Sequence, residues 1–268
     1  MINLNALDIT VIALYFIVIF TVAWRVSVKD KNKEKSDDYF LAGRNLGWFL
    51  IGASLFASNI GSEHLIGLAG SGASGGVAVA QFEILACFIL LILGWFFVPF
   101  YLRSGVTTMP EFLEQRYSKG ARLYLSVVSI LAYVLTKISV TIYAGAVVFE
   151  TIGLEFWYGA SVVVIATGIY TIFGGLRAVI YTDAIQMVIM IGGSILLTCL
   201  GLEHVGGWGG LKTSVPDQFF SMWRSMNDPE FPWTGILFGA PILGIWYWCT
   251  DQFVVQRVLS ARNITEAR

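Results

Sequence analysis

The stretch that decides the fold is Ala57-Ser58-Asn59-Ile60-Gly61-Ser62-Glu63-His64, which places polar side chains in the middle of the apolar run 47–72. Ionisable groups at membrane depth are costly, so they are usually retained for function. On an unbroken helix of 3.6 residues per turn, Asn59 and His64 would point roughly 140° apart. Both can face one site only if the helix is interrupted, and Gly61 is the easiest place. Broken helices lining a polar cavity are how secondary transporters build binding sites.

The composition indicates a membrane protein. Of 268 residues, 56% are apolar and 13% are charged, whereas soluble domains carry about 25% charged residues. A net charge of −1 does not favour a nucleic-acid partner. A helix needs about 20 apolar residues to cross a bilayer. The sequence therefore predicts an all-α polytopic membrane bundle, one transmembrane domain over residues 1–268, with spans near 9–28, 47–72, 79–102, 121–151, 156–175, 182–204 and 235–258.

The distribution of basic residues predicts the orientation of this bundle. Fourteen of the 17 Lys and Arg residues flank one side of the runs, and only Lys212 and Arg224 flank the other. Cytoplasmic loops collect Lys and Arg. We therefore expect the N-terminus outside and the C-terminus inside, which agrees with seven spans.

Two runs share an interrupted character. The second contains Gly61, and the seventh contains Gly239, Pro241 and Gly244. Interrupted helices at matching positions of two halves indicate inverted repeats with a binding site between them. Because the two runs lie five spans apart, the second repeat has only begun by the seventh run. The sequence thus predicts the N-terminal portion of a longer transporter.

Several ionisable residues within the runs have more than one reading. Glu83 is either an interfacial carboxylate or an acceptor for sugar hydroxyls, to which carboxylates bind strongly. Asp183 either stabilises the start of a helix or lies on a sodium path. For Lys137 the favoured interpretation is a structural ion pair, with Glu63 as a candidate partner. For Asp251 a structural pair is also the favoured interpretation.

The aromatic triplet Trp246-Tyr247-Trp248 lies deeper in its run than an interfacial aromatic belt should. Flat aromatic faces complement the apolar face of a pyranose, and a Tyr hydroxyl can also gate. Simple packing of the rings is the alternative. The triplet is therefore a candidate part of a sugar site.

At these residues the sequence resembles the sodium/glucose cotransporters of the sodium:solute symporter family. This resemblance implies a LeuT-like core of two inverted five-helix repeats, of which this chain would supply the first repeat and the opening helix of the second. The matching stretches are Asp38 to Arg44, Ala57 to Gly70, Thr107 to Phe112, Gly174-Gly175-Leu176, Tyr181-Thr182-Asp183 and Trp246 to Arg257.

The resemblance also implies roles for individual residues. Asn59, His64 and Glu83 match positions that hydrogen-bond the sugar, Tyr247 matches the inner-gate tyrosine, and Trp248 matches its aromatic neighbour. Ala57 and Ile60 match positions whose backbone carbonyls bind sodium. Asp183 matches an acidic residue linked to sodium binding or release. Sodium prefers oxygen ligands, and an unwound turn supplies free carbonyl oxygens.

The predicted function is sodium-coupled symport of a glucose-like or galactose-like sugar by alternating access, in the plasma (cell inner) membrane. A symporter of another small solute, such as myo-inositol, an amino acid or a carboxylate, is the first alternative. A sugar sensor that does not transport is the second. The sequence contains neither a nucleophile–base pair nor a metal-ligand cluster that would favour an enzyme.

Overall fold

The computed structural model describes residues 4–29, 36–62 and 64–268, and within these ranges the regular structure is helical. The proposed partnership of Glu63 with Lys137 lies outside the described residues. The helices are α1 Ala6–Lys29, α2 Ser36–Leu41, α3 Trp48–Asn59, α4 (a π-helical His64–Leu68 continued by Ala69–Gly75), α5 Val77–Ser104, α6 Met109–Arg116, α7 Lys119–Thr151, α8 Phe156–His204, α9 Gly207–Ser214, α10 Gly235–Thr250, α11 Gln252–Leu259 and α12 Ile264–Ala267.

Four of these helices, α1, α5, α7 and α8, are long and apolar enough to cross a membrane. Their outer faces expose large apolar side chains such as Leu135 at 70% and Leu197 at 71%. Contiguous apolar surface of this kind suits contact with lipid. The seven spans and their orientation remain predictions from the sequence.

The fifth and sixth apolar runs lie on two helical segments of α8 that are separated by a sharp break at Gly175. The helical backbone is interrupted at Gly175, where φ is +62° and ψ is −168°. Only glycine adopts this backbone conformation readily. A Cβ at Gly175 would lie 2.9 Å from the Tyr39 carbonyl oxygen, and the Tyr39 hydroxyl donates to the Ile172 carbonyl at 3.1 Å. The kink therefore lets the α2 segment dock closely against α8.

The two interrupted runs are packed between longer helices. α3 lies against α8, and α10 lies against α5. Ile89 and Leu93 of α5, Trp248 of α10 and Val254 of α11 belong to one buried cluster. This packing holds the ends of the broken helices in place, so their interruptions face a defined interior.

Hydrogen bonds join residues 46–48, at the start of α3, to residues 260–266. The Leu46 N–H donates to the Ser260 carbonyl at 3.2 Å, and the Arg262 N–H donates back to the Leu46 carbonyl at 3.1 Å. The Trp48 N–H, in the first turn of α3, donates to Glu266 Oε2 at 2.7 Å. The Glu266 carboxylate thus satisfies a donor that has no partner inside the helix.

We expect the hydrogen bond between Trp48 and Glu266 to make a pH-dependent contribution to stability. The bond from Trp48, with Arg262 beside it, lowers the pKa of Glu266 below its ordinary 4.5. A carboxyl with a lowered pKa in the fold stabilises it above the ordinary value, and that contribution is lost as pH falls through the lowered pKa. We expect Glu266→Gln to lower the melting temperature at neutral pH, with the difference from wild type vanishing in acid.

Melting curves of the full-length protein in detergent, at neutral pH and well below the ordinary pKa, test this expectation. Glu203→Gln, at an exposed carboxyl near the end of α8, is the matched control and should leave the melting temperature unchanged. An effect of Glu266→Gln that persists undiminished in acid would contradict the assignment.

Candidate functional site

The interruption predicted at Gly61 is present. α3 ends at Asn59, and Ile60 is extended with φ −86° and ψ 103°. In a continuous helix the Gly61 N–H would donate to the Ala57 carbonyl, but it donates to His64 Nδ1 at 3.4 Å. The His64 N–H would donate to the Ile60 carbonyl, but it donates to the Gly61 carbonyl at 3.1 Å. Both carbonyls have therefore lost their usual intrahelical donors.

The released oxygens have the right chemistry for a sodium ion. Carbonyl oxygens can replace part of the hydration shell of an alkali cation. The side chains of Ala57 and Ile60 are apolar, so only their main chain can take part. These two carbonyls form a partial donor set, to which other groups would have to add.

His64 joins the unwound turn to α5. Its Nε2 lies 3.2 Å from Glu83 Oε1, while its Nδ1 faces the Gly61 N–H. A neutral imidazole that donates from Nε2 and accepts at Nδ1 satisfies both contacts. The His64 and Glu83 side chains are 19% and 38% exposed. Both therefore retain surface that a ligand could reach.

Two cavities meet at these residues. A cavity of about 840 Å³ is lined by Asn59, His64 and Tyr247 among others. A smaller one of about 160 Å³ is lined by Asn59, Glu83, Tyr247 and Trp248 among others. Since Asn59 and Tyr247 line both, the structure brings together all five side chains that the sequence assigned to a sugar site.

The two aromatic candidates have different environments. Trp248 is 8% exposed and belongs to the buried cluster with Ile89, so most of its surface serves packing. Its ring meets that of Tyr247 edge to face at 5.2 Å. Tyr247 forms part of the wall of the larger cavity. The face of Tyr247 is therefore the better placed of the two to meet a ligand.

The seventh run breaks at Asp251, and not at its Gly and Pro residues. Asp251 is extended with ψ 133°, and its side chain accepts from the Phe253 N–H, which caps α11. The Tyr133 hydroxyl donates to the same carboxylate at 2.9 Å. An Asp side chain offers the backbone an alternative to helical hydrogen bonds. Pro241 is accommodated because it follows a π-helical turn at the start of a helical segment.

Lys137 lies across this second break. Its Nζ is 4.9 Å from the ring centre of Tyr247 in α10 and 3.7 Å from that of Phe253 in α11. Ammonium groups over aromatic faces are attracted to the ring quadrupole. Lys137 thus contacts both halves of the interrupted run, a role that its predicted ion pair did not include.

Asp183 lies apart from the sugar cluster, in a second group of polar residues. It lies eight residues after the break at Gly175, beyond the first turn of its helical segment, so it does not stabilise the start of that segment. Its Oδ2 accepts from Ser54 Oγ at 2.5 Å and Ser58 Oγ at 3.2 Å. Arg257 Nη2 lies 3.7 Å away. Ser58 directly follows Ala57, so Asp183 reaches the turn whose carbonyls are released.

Arg257 is the residue that sequence reasoning missed. It is one of the fourteen basic residues on the predicted inner side, but it is only 5% exposed. The available signal was the pair Ser54 and Ser58, four residues apart on one face of an apolar helix. A buried carboxylate that faces this pair of serines requires a cation as its partner. Arg257 could supply it, because it lies near the end of the seventh apolar run.

Comparison with known proteins agrees with this arrangement. The family model described as "Sodium:solute symporter family" matches residues 39–268, which include both helix breaks and the Asp183 group. The chain belongs to the sodium:solute symporter family. Proteins of this symporter family are transporters, and the chain is accordingly a multi-pass membrane protein.

Curated relatives in the symporter family cover nearly all of this chain. Sodium/glucose cotransporter 1 of Oryctolagus cuniculus is 43% identical over 98% of it, and sodium/glucose cotransporter 4 of Homo sapiens is 42% identical over all of it. The sodium/myo-inositol cotransporter of Mus musculus is 41% identical over 99%. The chain spans 43%, 42% and 41% of these relatives' own lengths, respectively.

A solved structure supports the symporter fold. A Na⁺-coupled sialic acid symporter, in a substrate-bound outward-open state, matches with a TM-score of 0.87 and 23% sequence identity. The match covers 98% of this chain and 55% of the other. The predicted all-α, LeuT-like fold is thereby confirmed.

Proposed function

We propose that the full-length protein is a sodium-coupled symporter of a glucose-like or galactose-like sugar in the plasma membrane. The observation that carries the proposal is the release of the Ala57 and Ile60 carbonyls beside a cavity lined by Asn59 and His64. The relatives' names, which include sodium/glucose cotransporters, support sodium and sugar as the two cargoes.

In the proposed sugar site, polar side chains surround the ring hydroxyls and one aromatic face covers the apolar side of the sugar. Asn59, His64 and Glu83 form hydrogen bonds, with the Glu83 carboxylate as the strongest acceptor. Tyr247 stacks on the sugar, and Trp248 supports it from the buried cluster. A pocket with a few convergent polar groups on an otherwise apolar wall is typical of small-molecule sites.

In the proposed sodium path, the ion binds the Ala57 and Ile60 carbonyls and then passes Asp183. Moving one charge inward across the membrane gains about 2.3 kcal/mol per 100 mV, and the sodium gradient adds to this. Coupling requires that sodium bind one conformational state more tightly than the other. The unwound turn meets this requirement if it changes shape between the two states.

A different polyhydroxyl cargo is the second candidate, favoured by the myo-inositol relative at 41% identity. Uptake of radiolabelled glucose, galactose and myo-inositol by the full-length protein in liposomes separates the candidates. We expect glucose or galactose uptake to depend on a sodium gradient and to cease when choline replaces sodium. Uptake of myo-inositol alone would show that myo-inositol, and not glucose or galactose, is the transported solute. Sugar binding without sodium-dependent uptake would indicate a sugar sensor that does not transport.

The aromatic wall provides a mutational test. We expect Tyr247→Ala to lower sugar uptake efficiency about 10-fold, because stacking and burial of an aromatic face contribute roughly 1–2 kcal/mol. Tyr247→Phe retains the face and should stay within about threefold of wild type. Tyr158→Ala, at a tyrosine of α8 that is 70% exposed, is the matched control. Equal losses in Tyr247→Phe and Tyr247→Ala would assign the effect to the hydroxyl instead.

A further inference from the structure

The buried pair of Asp183 and Arg257 suggests how sodium leaves the unwound turn. Both residues are nearly inaccessible, at 6% and 5% exposure. An ionised carboxylate left bare at this depth would be very unfavourable. A path on which sodium visits Asp183 therefore needs something to neutralise the carboxylate before the ion arrives and after it leaves.

Arg257 is held in place mainly by groups other than Asp183. Its Nε donates to Ser54 Oγ at 2.8 Å, its Nη1 donates to the Phe253 carbonyl at 2.6 Å, and its guanidinium carbon lies 4.2 Å from the Phe253 ring centre. The contact with Asp183 is longer, at 3.7 Å. This is not the short, bidentate geometry of the strongest Arg–carboxylate pairs.

The carboxylate is also arranged to accept a second partner. Within the described ranges, the hydrogen bonds from Ser54 and Ser58 and the ion pair with Arg257 all use Oδ2. Oδ1 accepts no hydrogen bond from those residues. Ser58, which directly follows Ala57, donates to the carboxylate, so Asp183 contacts the turn that contains the Ala57 carbonyl.

We propose that Arg257 is the resident counter-cation of Asp183, and that a sodium ion leaving the unwound turn competes with Arg257 for this carboxylate. This inference rests on the proposed function, because it concerns the same sodium path. Competition weakens sodium binding at Asp183 and so speeds release, while Arg257 keeps the carboxylate paired once the ion has gone. α3, α8 and α11 meet at this pair, so the exchange occurs where both broken runs contact α8.

The test measures sodium binding without sugar. Ligands that bind only the folded state raise its melting temperature by mass action, so sodium titrations of the full-length protein at constant ionic strength, with choline as the replacement, give a half-saturating sodium concentration. We expect Arg257→Gln to lower this concentration about 10-fold and to slow release of radioactive sodium. Arg257→Lys, which retains the charge but loses the forked hydrogen bonds, should lower it about threefold. Asp183→Asn should raise it.

The controls separate this role from a structural one. Arg122→Gln breaks an Arg–Glu pair of 2.5 Å that is far more exposed, and should leave the half-saturating concentration unchanged. If Arg257→Gln does not fold, Arg257→Lys decides the question. Lower melting temperatures with an unchanged half-saturating concentration in both Arg257 variants would overturn the inference. A wild-type protein that does not respond to sodium would instead overturn the proposed function.

Discussion

His64→Ala is expected to raise the sugar concentration for half-maximal uptake about 10- to 100-fold. The imidazole contacts the Glu83 carboxylate through Nε2 at 3.2 Å, and a hydrogen bond to a charged group contributes about 1.5–3 kcal/mol. Its loss leaves Glu83 without the partner that orients it in the cavity. A sugar would then meet a misplaced carboxylate and one fewer hydrogen-bonding side chain.

The sodium concentration for half-maximal uptake should change by less than about threefold in the same variant. The bond from the Gly61 N–H to His64 Nδ1 is long, at 3.4 Å, and a weak neutral hydrogen bond contributes well under 1.5 kcal/mol. His204→Ala, at the exposed end of α8, is the matched control and should match wild type in both measurements. Equal losses of sugar and sodium affinity would show that His64 acts mainly by holding the unwound turn.

Gly175→Ala is expected to destabilise the protein by about 3 kcal/mol. The residue has φ +62° and ψ −168°, a conformation that costs of order 1–3 kcal/mol for a residue with a Cβ. The added Cβ would also lie 2.9 Å from the Tyr39 carbonyl oxygen, so α2 would have to move away from α8. We expect a lower melting temperature in detergent and a reduced yield of folded protein.

Gly193→Ala provides the control within the same helix. Gly193 has ordinary helical geometry, and a Cβ there meets nothing within 4 Å, so the change should be neutral or stabilising by up to about 1 kcal/mol. Melting curves for the two variants test whether the backbone at Gly175 is responsible. Similar melting temperatures for both would contradict the strain and the contact with Tyr39.

The sequence predicted the break at Gly61 because two polar side chains five residues apart cannot share one face of a regular helix. It placed the second interruption wrongly, among Gly239, Pro241 and Gly244. The helix passes Gly239 in a π-helical turn and Pro241 and Gly244 in an α-helical segment, and it ends at Thr250. The competing hydrogen bond from the Asp251 side chain, reinforced by Tyr133 from α7, decides the position. Only one of those two partners is local in the sequence.

The site residues also divide into a group that the sequence placed together and one residue, Asp183, whose position needed the structure. Asn59, His64, Glu83, Tyr247 and Trp248 were proposed together because they match one family pattern, and they line adjoining cavities. Asp183 remained ambiguous from the sequence, since an acidic residue near the start of an apolar run also suits a helix terminus. The helical segment that carries Asp183 starts after Gly175, eight residues earlier, which removes that ambiguity.

The sequence by itself determined that this protein is helical and embedded in a membrane, and that one helix opens near Gly61, because hydropathy, helical period and glycine act locally. Only the tertiary structure decided which buried charges meet. In the sequence, Arg257 is one more basic residue at the end of an apolar run, until α3, α8 and α11 pack together and enclose it with Asp183. The physical reason is that the burial of a charge, and the partner that compensates it, depend on segments far apart in the chain.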